Sequence, residues 1–243
     1  MRRGITKKSM RTLSVRQRST ARQQVAAAKR AAHIGAYREV TELANLAVRG
    51  LQLGPGELKA RDTASGAFAG ADWNGVAVLL NGIARGDDID ERTGRQVLIR
   101  SYELSVLWHQ APPGAHPRPC VARVLVVYDK QTNAAALTPA QVLTAVGTLN
   151  AATSPKNLEN RDRFTILRDI RTPMAAAETA DYEPPPKALK VYQSITLPVT
   201  FNAGDAGTVA DITTGSLYAI FISDQGAVLP SFSYTCRVRY EDK

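Results

Sequence analysis

The run FSYTCRVRY, residues 232–240, alternates without a break. Phe232, Tyr234, Cys236, Val238 and Tyr240 fall on one side, and Ser233, Thr235, Arg237 and Arg239 on the other. A period of two marks a β-strand with one buried face. Working back from it, the same reading recurs. Leu217–Ile222 is apolar on both sides, as in a strand covered on both faces. Leu189, Val191, Ile195, Leu197, Val199 and Phe201 share a face, with Gln193 interrupting the run. Phe164, Ile166 and Ile170 share another, and Val121–Tyr128 is almost wholly apolar. Leu98, Tyr102, Leu104, Val106 and Trp108 lie on one side of a long strand, and Val76–Leu80 is a short apolar run. Leu58 and Ala60 alternate with Lys59 and Arg61 in the first strand. The segments between carry turn residues: GDDIDERTG at 86–94, APPGAHPRP at 111–119, YEPPP at 182–186 and NAGDAG at 202–207. One helix interrupts the set, with Thr138 as N-cap, Pro139 at its first position and Gln141 completing a capping box. Eight antiparallel strands with long connections predict an all-β fold, a single eight-stranded jelly roll of two packed sheets.

Charge divides the chain differently. Residues 1–50 hold twelve Lys/Arg and two Asp/Glu, whereas the remainder holds nineteen and twenty. The formal +9 of the whole chain therefore comes from its first fifth. Residues 1–19 show no apolar period and read as disordered. Residues 20–32 favour helix, Gly35 interrupts it, and 38–49 reads as helix again, with Val40, Leu43, Ala44 and Ala47 on one face and Gly50 as its cap. GPG at 54–56 breaks the chain. The expected organisation is a basic arm over 1–53 and a shell domain over 54–243. Arg2, Arg3, Lys7, Lys8, Arg11, Arg16, Arg18, Arg22, Lys29 and Arg30 suit a polyanion, since they neutralise phosphates and release counterions whatever the sequence. The first seven also form a spaced basic cluster suited to nuclear import.

Catalytic signatures are missing from the sequence. It has no phosphate-binding glycine loop, no dinucleotide fingerprint and no nucleophile elbow. His33, His109 and His116 lie in three unrelated contexts, and no enzyme is expected. Cys120 and Cys236 exclude a disulfide scaffold and read as small buried hydrophobes. Asp87, Asp88, Asp90 and Glu91 supply hard oxygen ligands suited to Ca²⁺ at a subunit contact, but without the glycine and closing Glu of an EF-hand loop. They read first as a solvated hairpin tip, and no cofactor is expected. No apolar run reaches ~18 residues, so membrane insertion is not expected.

YDKQTNAAALTPAQVL (128–143) and SPKNLENRDRFTILRD (154–169) carry a resemblance. Tyr128, Asp129, Lys130 and Gln131 after a strand, then Ser154, Asn157, Leu158, Asn160, Arg161, Arg163 and Phe164 leading into the next, resemble capsid proteins of small circular single-stranded DNA viruses that encode a replication initiator. The resemblance extends more weakly over 57–243. It implies a jelly roll similar to the satellite tobacco necrosis virus coat, assembled with copies of itself into a sixty-subunit icosahedral (T=1) shell. It also implies a virion protein that enters the host nucleus through an import receptor and packages single-stranded DNA. RNA is equally compatible with phosphate neutralisation. The other reading of the residues is a cellular nucleic-acid-binding β-protein with a basic tail, although 6% aromatic content gives it little to stack bases on.

Two surface expectations follow. The connection 130–162, with Asn157, Asn160, Arg161 and Asp162 in a dense polar cluster, is expected to meet a neighbouring subunit or to brace the strand after it. With the strands numbered in order, the jelly-roll arrangement groups one, eight, three and six in one sheet and two, seven, four and five in the other. Lys59, Arg61, Lys190, Arg237 and Arg239 then line the outer face of the first sheet, a basic surface turned to the genome. Arg100 fits this poorly, because it shares parity with Leu98 and Tyr102.

Overall fold

The apolar face of an alternating strand leaves water when another layer covers it, and in this chain two sheets cover each other. The computed structural model describes residues 57–110, 118–176 and 184–242. Among them are ten strands: β1 (Leu58–Ala64), β2 (Ala69–Gly70), β3 (Val76–Leu79), β4 (Gln96–His109), β5 (Cys120–Asp129), β6 (Phe164–Met174), β7 (Lys187–Phe201), β8 (Ile212–Thr214), β9 (Ser216–Ser223) and β10 (Ser231–Asp242). Each of the eight expected segments falls on a strand, with Leu80 one residue past β3, and the short β2 and β8 are additions. One sheet runs β1-β10-β4-β7-β8 with β2 also on β10, the other β3-β9-β5-β6, and every pairing is antiparallel.

The inner faces of both sheets form one core. Tyr102, Leu104, Val106, Trp108, Phe232, Cys236 and Val238 of the first meet Val124, Val126, Ala219 and Phe221 of the second. Phe221 stacks on Phe232 at 3.9 Å between centroids, with Trp108 tilted against Phe232 at 5.5 Å. Tyr128 spans the layers, its hydroxyl donating to the Pro198 carbonyl at 2.6 Å. Gln193, the polar break in β7, accepts from the buried Tyr102 hydroxyl at 2.9 Å.

Two bulges change which residues face inward. In β4, Ile99 lies opposite Tyr240 and Ser101 opposite Arg239, leaving Arg100 as an extra residue. Parity flips there: Val97 and Ile99 are buried in place of the expected Leu98. Arg100 reaches Glu241 instead, Nη2 donating to Oε2 at 2.7 Å. In β6, Leu167 is the extra residue between Ile166, opposite Val127, and Arg168, opposite Val126. The expected shared face of Phe164, Ile166 and Ile170 is therefore split: Ile170 and Leu167 join the main core, whereas Phe164 and Ile166 face the other way.

That other face of the second sheet is also buried, which explains the unbroken apolar runs of β5 and β9. Leu125, Val127, Phe164, Tyr218, Ile220 and Ile222 pack under Leu137, Val142, Leu143 and Ala151 of the 130–162 connection. The expected helix is a single turn, α1 (Pro139–Val142), with the Thr138 N–H donating to Gln141 Oε1 at 3.0 Å. No charged side chain stands between Lys130 and Lys156, in keeping with a segment laid on an apolar sheet.

Candidate nucleic-acid and assembly surfaces

Every residue of the basic arm proposed to bind nucleic acid, Arg2 through Arg30, lies outside the described residues, as do its expected helices, His33 and His116. The face of the first sheet is described, and it corrects the expected orientation of two residues. Lys59 lies opposite Tyr240 and Arg61 opposite Val238, so both are on the core side of β1. Lys59 is 3% exposed, whereas Leu58 is 61% exposed. The cause is local acid. The Lys59 ammonium lies 3.5 Å from Glu57 and 3.9 Å from Asp242, and Arg61 pairs with Asp90. At the sheet margin, carboxylates from distant sequence satisfy cations that a period-two reading turns outward.

Arg237, Arg239 and Lys190 do point away from the core, but two of them are paired. Arg237 donates Nε and Nη2 to the two oxygens of Asp62 at 2.7 and 2.6 Å. Lys190 Nζ is 2.8 Å from Glu103 Oε1. These hydrogen bonds lower the pKa of Asp62 and of Glu103. With Glu241 holding Arg100, the outer face is a mixed-charge surface rather than the one-sided basic sheet expected. Among the described residues, Arg239 has no carboxylate partner. The pairs lie within the chain, between directly opposed or diagonal positions, where opposite charges support a sheet.

In the acidic segment at 87–91, Asp87 and Asp88 are exposed. Asp90 is taken by Arg61, Glu91 Oε2 accepts the Asp88 N–H at 3.2 Å, and the Glu91 carbonyl accepts the Tyr240 hydroxyl at 2.9 Å. Among the described residues, no three His, Cys, Asp or Glu come together as a metal site. Cys120 and Cys236 are free and buried, and burial pushes both thiols up to about 12. His109 packs edge-on against Phe68 at 4.5 Å.

Both halves of the quoted motif meet in one ion pair. Arg163 donates Nε to Asp129 Oδ1 at 2.9 Å and Nη2 to Oδ2 at 2.7 Å, and Asp129 is fully buried. Asp129 Oδ1 also accepts the Gln131 N–H at 2.9 Å, and Lys130 Nζ donates to the Asp162 carbonyl at 3.1 Å. Tyr128–Gln131 and the residues before Phe164 thus close the base of the connection like a clasp. A second clasp lies along β5. The buried Arg123 donates Nε and Nη2 to Asp169, both at 2.8 Å, and Nη1 to the Ser154 carbonyl at 2.8 Å.

The polar cluster divides. Asn157 N–H donates to the Val142 carbonyl at 2.7 Å and Asn160 Nδ2 to the Gln141 carbonyl at 3.0 Å, so both brace α1 from within the chain. Arg161 and Asp162 are exposed, and among the described residues their side chains pair only with each other, at 3.8 Å. On the same connection Leu149 is 70% and Leu158 69% exposed.

Sequence reasoning missed Arg92 and Asp242. Arg92 is buried, stacks its guanidinium 4.1 Å from the Phe201 centroid and donates to the carbonyls of Gly94 (2.8 Å) and Gly204 (2.6 Å). Asp242 accepts the Thr93 N–H and hydroxyl, each at 2.6 Å. Arg92 lies in a charged, turn-rich segment and Asp242 at the end of β10, and neither place carries a sign of burial in the sequence. Among the described residues, no helix is long and apolar enough to cross a membrane. No family model matches the chain, and no curated protein sequence matches it.

Proposed function

We propose that this chain is a capsid subunit of the kind its 128–169 segment resembles. Its body is read as a jelly-roll shell domain that assembles with copies of itself, and its basic arm as the element that packages single-stranded DNA. The observation that carries the reading is the joining of a +10 segment to a two-sheet β body that is close to neutral. With β2 and β8 set aside, the remaining strands fall, in their own order, as one-eight-three-six and two-seven-four-five, which supports the jelly-roll reading. The charge-free surface between Lys130 and Lys156, with Leu149 exposed on it, supports burial against a neighbouring subunit, because interface cores are depleted of charge. Arg161, Asp162 and Leu158 extend the same contact. Nuclear entry is assigned to the cluster from Arg2 to Arg18.

Deleting residues 1–38 tests the division of labour. The body is expected to remain folded by circular dichroism, while nucleic acid recovered with the protein falls sharply. Undiminished nucleic acid in the deletion variant contradicts the assignment to the arm.

A further inference from the structure

Among the described residues, β8 pairs with β7 only at Thr200 and Phe201, and β6 pairs only with β5. The edge of β7 turned away from β4, from Lys187 to Pro198, and the outer edge of β6 are therefore both free of strand partners among the described residues. A cleft of about 400 Å³ lies between them, floored by Leu167 and Val191 and walled by Arg168, Asp169, Lys190 and Tyr192. That size is within the ~300–1,000 Å³ of small-ligand sites.

Its charge is positive. Asp169 is already held by Arg123 and by Arg171, and Lys190 shares Glu103. Arg168 has no carboxylate partner among the described residues and is exposed. In the lining itself two cations, Arg168 and Lys190, stand with one carboxylate, Asp169, whose charge is already met. Tyr192 is 57% exposed, and among the described residues no ring or cation packs on its face. The other exposed large aromatic, Phe68, is taken by His109.

We propose that this cleft binds one nucleotide of a single strand, its phosphate between Arg168 and Lys190 and its base on the ring of Tyr192. An unpaired cation beside a free aromatic face is what a stacked nucleotide requires and what a bare anion or an apolar ligand does not. The inference rests on the packaging reading and deepens it: the arm neutralises phosphates indifferently, whereas this cleft engages the base.

The test uses the full chain and two fluorescent probes, a thymidine oligonucleotide and an abasic deoxyribose-phosphate strand of equal length. The arm contributes alike to both, so their affinity ratio isolates stacking. The oligonucleotide is expected to bind about tenfold more tightly, a ratio that collapses toward one in Tyr192→Ala and survives in Tyr192→Phe. Arg168→Gln is expected to weaken both probes and to reduce the salt slope by about 0.7. Both residues are exposed, and unchanged thermal unfolding verifies that the variants fold. Equal binding of the two probes by the native chain, or a ratio untouched by Tyr192→Ala, overturns the cleft and leaves packaging by the arm standing. Failure of both probes to bind at all overturns both.

Discussion

Asp129 is fully buried and its charge is met chiefly by one guanidinium, so Arg163 has a larger role than its position at the end of a loop suggests. Arg163→Ala strands a buried carboxylate and is expected to cost about 3–5 kcal/mol in urea unfolding, with the midpoint lowered accordingly. Arg161, two positions earlier and exposed, is the contrast. Arg161→Ala is expected to change stability by less than about 0.5 kcal/mol while weakening assembly. A drop in stability with normal assembly would make it a fold brace only. Titration adds a third expectation. Burial pushes the Asp169 and Asp242 carboxyls up, but Arg123 on one and the Thr93 hydroxyl and N–H on the other outweigh it, and both end below the ordinary 3.8. The folded state then binds fewer protons than the unfolded chain around that pH, so the stability they contribute is present above 3.8 and lost as pH falls below it. Unfolding repeated at decreasing pH is expected to show this loss, flattened in Asp169→Asn. An identical acid limb in that variant contradicts it.

The β-strands were legible because period-two alternation is a direct consequence of one face being buried. β10 is the clearest case, from Phe232 to Tyr240. The bulges at Arg100 and Leu167 were not legible, since neither position holds a glycine or any other residue type that marks a bulge, and each reverses the facing of everything beyond it. β1 was misread for a different reason: its facing is set by Asp90 and Asp242, which lie far along the chain. For the 130–162 connection the sequence showed a capped turn and a polar cluster, but not that the segment roofs the second sheet. The crossover from β8 to β9 offers a direct check. Gly215 sits at φ +88, and a Cβ there would collide with the Pro198 carbonyl while its own carbonyl accepts Asn81 Nδ2 at 3.0 Å. Gly215→Ala is expected to destabilise the fold by about 1–3 kcal/mol, measured by thermal or urea unfolding. A neutral substitution would mean that the two sheets are joined differently there.

Taken whole, the molecule assigns different work to its parts. Ion pairs inside the chain neutralise most of the outer face of the first sheet, the connection seals the second, and the excess positive charge is left to residues 1–50. Of the candidate sites, the arm rests on composition alone and lies outside the described residues. The basic sheet face was not, because counting cations along strands overlooks the carboxylates opposite them, Asp62 and Glu103. In the proposed sixty-subunit shell, arms of about +10 would neutralise on the order of 600 phosphates of a single strand. Negative-stain microscopy of the purified full chain, with its absorbance ratio at 260 and 280 nm read on the same sizing-column peak, tests the capsid reading most directly. Uniform hollow-shelled particles carrying nucleic acid are predicted. A monomer or small oligomer, with or without bound nucleic acid, would contradict it and favour a nucleic-acid-binding module with a basic tail.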